Sequence, residues 1–166
     1  MYDYPVKSVV SSGYTLCYDQ PYSSSTTSAD IALCAGGVSY FVGAMSSSMS
    51  TEFALGAYGS GDVFSPTYST SEAYSYGDPG VHWYNHPQYG FGFASSSKVN
   101  LNSCDYGYYK DCGSRLCWHL DQNGGGYRAG CVTGLNYDET WRKVVYRLAG
   151  ECLVMCMHGS SIFISE

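Results

Sequence analysis

Apolar and polar positions along this chain change over in short runs, and Gly, Ser, Asp or Pro breaks the runs again and again. Alternation with a period of two, punctuated by turn residues, predicts strands of a sandwich or barrel rather than helices. Strands are expected over 14–18, 31–34, 38–45, 52–58, 62–64, 72–76, 81–84 and 89–94. Further strands are expected over 98–101, 115–120, 126–132, 141–148, 152–157 and 161–164. The 141–148 run alternates most clearly: Val144, Tyr146 and Leu148 would face one side, and Trp141, Lys143, Val145 and Arg147 the other. Asp78-Pro79-Gly80 has the chemistry of a tight turn, and Asn123-Gly124-Gly125-Gly126 that of a hairpin loop. The fold predicted is all-β: a jelly-roll-like antiparallel β-sandwich with disulfide bridges and long Ser/Gly-rich loops.

The compact unit is expected over 13–148, with an N-terminal extension at 1–12 and a C-terminal extension at 149–166. Both extensions carry apolar, β-prone stretches: Val6 to Val10, Leu153 to Met157, and Ile162 to Ile164. Such strands either complete the same sandwich or pair with the sheet edge of another subunit. The opening Met1-Tyr2-Asp3-Tyr4-Pro5 lacks the basic segment and apolar core of a signal peptide, so an exported protein would be seen here in mature or truncated form.

Composition narrows the class. Of 166 residues, 13% are charged and 16% aromatic, with 18 Tyr, 20 Gly and, by count, 25 Ser. A disordered chain is rich in charge and poor in aromatics, which excludes disorder. No apolar run is long enough to predict a membrane-spanning helix. The net charge is −6, and residues 1–97 hold a single base, Lys7. A nucleic-acid partner requires a basic stripe, and none exists; an anionic membrane surface is disfavoured for the same reason.

Eight cysteines and no C-x-x-C pair predict disulfides in an oxidising, extracellular compartment rather than a zinc or redox site. Cys17 and Cys34 stand alone in the first half and are expected to pair. Cys104, Cys112, Cys117 and Cys131 form a second group, with Cys104–Cys117 and Cys112–Cys131 as the expected bridges. Cys152 and Cys156 would lie about 13 Å apart in a strand, too far for one bridge. They pair with each other only in a helix or turn, and otherwise reach elsewhere, including to a neighbouring chain.

No catalytic signature is present. His82 and His86 are spaced to share a face, but no carboxylate partners or H-E-x-x-H accompany them, so no metal site is expected. Asp121-Gln122-Asn123-Gly124-Gly125 begins like a calcium loop, yet Val132 stands where an EF-hand needs a carboxylate. A looser, weak Ca²⁺ site on Asp105, Asp111 or Asp121 is the one cofactor alternative. Cys117 and His119 are close in sequence, but pairing of the cysteines leaves no thiolate nucleophile. The Tyr surplus concentrates at 68–93 and 106–109, and Tyr is favoured at contact surfaces because it is large, rigid and amphipathic.

The segments GYTLCY (13–18), VHWY (81–84), YGFGFA (89–94), SCD (103–105), RLCWH (115–119), GGYRAG (125–130), GLN (134–136) and WRKVVY (141–146) together resemble a disulfide-stapled β module. That module occurs in large secreted or surface proteins of algae, other protists and aquatic microbes. The resemblance spans about 13–148 and implies an extracellular, often repeated unit of structural or adhesive proteins. Cys112 and the tail bearing Cys152 and Cys156 depart from its pattern and would suit a cross-subunit role. The function expected is therefore non-enzymatic: a self-assembling fibre or surface-layer subunit whose partners are copies of itself or neighbouring modules. The alternative is a lectin-like domain, with Trp83, Tyr84, Trp118, His119, Arg128 and Asp121 near a glycan.

Overall fold

The computed structural model describes residues 1–69, 71–76, 79–100, 104–105, 112–120 and 124–150. Asp121, Cys152, Cys156 and the strands expected over 152–157 and 161–164 lie outside the described residues. In chain order the strands are β1 (Tyr4–Pro5), β2 (Thr15–Pro21), β3 (Gly37–Met45), β4 (Glu52–Phe53) and β5 (Leu55–Ser60). They continue with β6 (His82–His86), β7 (Gly90–Ala94), β8 (Leu116–Trp118), β9 (Arg128–Ala129), β10 (Val132–Thr133) and β11 (Arg142–Ala149). Two short helices, α1 (Val6–Ser11) and α2 (Ser28–Ala32), interrupt the first half.

Three antiparallel sheets pack together as a β-sandwich. A four-stranded sheet runs β2-β11-β3-β5, so the last described strand is inserted at the centre of the first ones. There Val145 lies opposite Val42 on one side and Tyr18 on the other. A five-stranded meander runs β6 to β10 in order of sequence. The two sheets share one core. Tyr18, Val42, Leu55 and Val145 enter it from the first sheet, and Trp83, Phe91, Leu116 and Trp118 from the second. Burial of each large side chain contributes about 1.5–3 kcal/mol.

The alternation expected in β11 is realised, and both of its faces are buried. Val145 enters the shared core, whereas Val144 and Tyr146 turn to the outer side with Phe41 and Met45 of β3. That outer side is covered by the N-terminal segment. Met1 reaches β5, where its ammonium donates to the Gly56 carbonyl at 2.8 Å. β1 pairs with β4, and Val9 of α1 is fully buried beside Phe41, Phe53 and Tyr146. Of the two alternatives for residues 1–12, they pack within the same sandwich, but as the short strand β1 and the helix α1 rather than as a strand over Val6 to Val10. Six residues cannot hold a helix alone. Docking of Val9 among aromatic rings overrides the β preference of the valines.

Three other expected strands differ. Ile31 and Ala32 end α2, and Leu33 and Cys34 turn out of it, because Thr27 and Asp30 form a reciprocal capping box that starts the helix, with the Asp30 amide donating to Thr27 Oγ1 at 3.0 Å and the Thr27 amide to Asp30 Oδ2 at 2.8 Å. Residues 61–64 form a 3-10 turn, capped by Ser60 and anchored by buried Val63. The stretch 72–76 makes only single bridges, Glu72 to Lys98 and Tyr74 to Trp83.

Candidate functional site

Of the segments that carried the resemblance, VHWY, YGFGFA, RLCWH and GGYRAG supply strands of the five-stranded sheet, whereas GYTLCY and WRKVVY supply β2 and β11 of the other sheet. Arg115, just before β8, and Asp105 form an ion pair at 2.6 Å with both side chains essentially unexposed. Asp105 Oδ1 also accepts from the Asn100 amide at 2.9 Å, and Arg115 donates to the Lys98 carbonyl at 3.1 Å and to Ser96 Oγ at 3.1 Å. Arg128 of β9 donates to the Asp105 carbonyl at 2.6 Å and to the Gly130 carbonyl at 3.1 Å. Cys104 is bonded to Cys117 of β8, and both Cys104 and Asp105 hold positive φ, at 49° and 64°. Paired through the Arg115 guanidinium and the Asp105 carboxylate, these charges form a structural clamp; a buried charge left alone would be costly. The other bridges are Cys17–Cys34 and Cys112–Cys131, so all three expected pairings among the described residues are present.

The same burial corrects the expected glycan contacts. Trp83, Tyr84, Trp118 and Arg128 are buried to within 1% and cannot meet a ligand from solvent. Trp83 and Trp118 fill the core; Trp118 Nε1 donates to the Tyr22 hydroxyl at 3.1 Å, which donates to the Arg128 carbonyl at 3.2 Å. The Tyr84 hydroxyl donates to the Leu116 carbonyl at 2.8 Å, over Gly92, where any side chain would overlap that carbonyl. Burial pushes the Tyr22 and Tyr84 phenols well up. His119 is partly buried, and burial pushes its imidazole down, with the Tyr89 backbone opposing and the Lys143 charge adding. His86 is buried, its Nδ1 accepting from the Gln88 amide at 3.1 Å. No three His, Cys, Asp or Glu side chains gather into a metal site among the described residues.

Lys143 of β11 was expected only to share the face of Val145. In the structure it is fully buried at the end of the core, where Nζ donates to the carbonyls of Ser24 at 2.6 Å and Gly125 at 3.0 Å and to Thr26 Oγ1. Three ammonium donors meet three acceptors. Burial pushes the amine down to about 7, opposed by Asp30 and reinforced by Arg142. Gly125 is required at this point because a Cβ would overlap the carbonyls of Ser24 and Tyr22. Lys143 thus joins the second-half motif to the Ser-rich loop that leads into α2.

Several large aromatic and aliphatic side chains remain at the surface. Tyr137 and Met49 are 87% exposed, Tyr68 77% and Leu33 71%. Of the expected Tyr-rich stretch, Phe91 and Phe93 are core, whereas Tyr68 and Tyr74 face solvent; Tyr106, Tyr108 and Tyr109 lie outside the described residues. β2 lies at the edge of its sheet. A cleft of about 480 Å³ opens between α2 and the 61–64 turn, with Tyr40, Phe64 and Asn85 on its lining. Sequence reading missed this cleft because its residues come from three separated segments, none with a motif of its own.

Compared with protein-family models, curated proteins and solved structures, the chain matches none. Three disulfides indicate an oxidising environment for the folded chain. No described helix is long and apolar enough to cross a membrane.

Proposed function

We propose that the chain is a non-enzymatic structural or adhesive module of the extracellular space, secreted or at a cell surface, which associates with copies of itself or with neighbouring modules. The observation that carries this reading is the set of large side chains left in solvent by an otherwise covered sandwich. Tyr137, Met49, Tyr68 and Leu33 are all more than 70% exposed although both sheets have their outer faces covered. Exposed Tyr is an efficient contact residue because little side-chain entropy is lost on binding. The β2 edge adds unpaired backbone groups of the kind that pair with another chain. Three bridges and a buried ion pair suit a module that must stay folded outside the cell.

The test is the mass of the purified protein in solution across a concentration series, by sedimentation and negative-stain microscopy. The expected result is concentration-dependent association into ordered oligomers, weakened by Tyr68→Ser combined with Tyr137→Ser. A protein that stays monomeric at the highest concentration reached overturns the reading. The lectin-like alternative is favoured by a different observation, the cleft at α2.

A further inference from the structure

We propose that the cleft between α2 and the 61–64 turn is a binding site for one uncharged sugar ring, a hexose at the end or branch of a neutral glycan. Its volume of about 480 Å³ falls within the range of small-ligand pockets, roughly 300–1,000 Å³. Among the described residues no charged side chain lines it, so nothing there would neutralise a carboxylate, sulfate or phosphate. Ile31, Phe64, Pro66 and Pro87 supply apolar walls, suited to the C–H face of a pyranose.

Two polar groups give the site its chemistry. Tyr40 is only 2% exposed, and its hydroxyl oxygen accepts from the Gly37 amide at 2.8 Å. The hydroxyl proton has no acceptor among the described residues, an arrangement that is costly unless something else accepts it. Asn85, on the lining, donates through Nδ2 to the Phe64 carbonyl at 2.6 Å, which fixes the carboxamide and leaves Oδ1 as its acceptor. A donor and an acceptor in one apolar cleft match a hydroxyl, which accepts and donates at once. An uninterrupted polyproline run presents carbonyl acceptors and no N–H donors, so it would leave Asn85 Oδ1 unused. The capping box of α2 and the Ser60 cap of the 61–64 turn hold the two walls in place, so the cleft is built before any ligand arrives.

The site does not depend on self-association, and the experiment is run on the monomeric fraction so that failure of one reading leaves the other standing. The protein is screened against immobilised neutral, sialylated and sulfated oligosaccharides, and the best neutral one is titrated by calorimetry. Neutral oligosaccharides are expected to bind and acidic ones not to. Ala35→Trp, which fills the cleft from an exposed position on its lining, is expected to lower affinity about tenfold or more. Tyr40→Phe keeps the ring but removes the donor, and with it the acceptor of the Gly37 amide; it is expected to lower affinity about three- to tenfold, and thermal unfolding of Ala35→Trp is expected to stay close to that of the parent. Absence of neutral glycan binding, equal binding of acidic glycans, binding of proline-rich peptides instead, or unchanged affinity in Ala35→Trp overturns the proposal.

Discussion

The two outer faces of the sandwich are closed by opposite means. On the four-stranded sheet the cover is apolar: Val9, Phe41, Phe53, Val144 and Tyr146 pack together, and no disulfide takes part. On the five-stranded sheet the apolar material is thin, with Ala73, Ala94 and Val99 around Tyr84. There the covering loop is held by Cys104–Cys117 and by the Asp105–Arg115–Arg128 clamp. The difference teaches where covalent and ionic fastening is needed. A helix with one well-placed valine can close a face rich in aromatic rings. Where the cover offers small side chains such as Ala73 and Ala94, Cys104 and Asp105 are tied, because small side chains bury too little apolar area to offset ordering.

Substitutions on the two faces can break this contrast. The largest loss is expected for Arg115→Met, which leaves the Asp105 carboxyl group buried without its ion-pair partner; about 3–5 kcal/mol of stability should go, read by denaturant unfolding. Replacing Cys104 and Cys117 together by Ser should cost about 3 kcal/mol. Reductant should then depress the melting temperature of the variant less than that of the parent. Val9→Ala should cost about 2 kcal/mol and should add to the disulfide loss, since the faces are separated by both sheets; a strong departure from additivity would mean that the two covers are one unit.

The smallest effect is expected from acid. His119 follows β8, and its imidazole titrates below the ordinary value of about 6.5 because burial disfavours the charged form. Between the folded value and about 6.5 the unfolded chain therefore binds more protons, so stability falls as pH drops through that window. His119→Gln should remove this part of the slope, worth under about 1 kcal/mol, whereas Val9→Ala should leave it in place. Equal slopes in the parent and His119→Gln would show that the imidazole does not sense folding.

Much of the fold was legible because strand signals coincided with burial. The runs at 38–45, 89–94 and 141–148 became β3, β7 and β11 with bounds nearly unchanged. The expected bridges formed because cysteines near in sequence were also brought together by adjacent turns and strands. The misreadings have one source, short apolar runs without a decisive period. Val6 to Val10 and Ile31 to Cys34 look like strands, but docking of Val9 makes the first helical and the Thr27–Asp30 cap makes the second the end of a helix and its turn. The candidate site was less legible. Trp83, Trp118 and Arg128 look like ligand contacts by residue type, yet the same size and hydrogen-bonding capacity equip them to fill and fasten a core.

From the sequence by itself came the all-β class, the oxidised cysteines and the local turns, because each depends on residues within a few positions of one another or on composition. Only the tertiary structure decided that the N-terminal segment closes its own sheet, that Lys143 and Arg115 are interior, and that Tyr40, Phe64 and Asn85 line one cleft. These facts depend on which distant segments become neighbours. That is set by the insertion of β11 between β2 and β3 and by the packing of the two sheets, neither of which leaves a local mark in the chain.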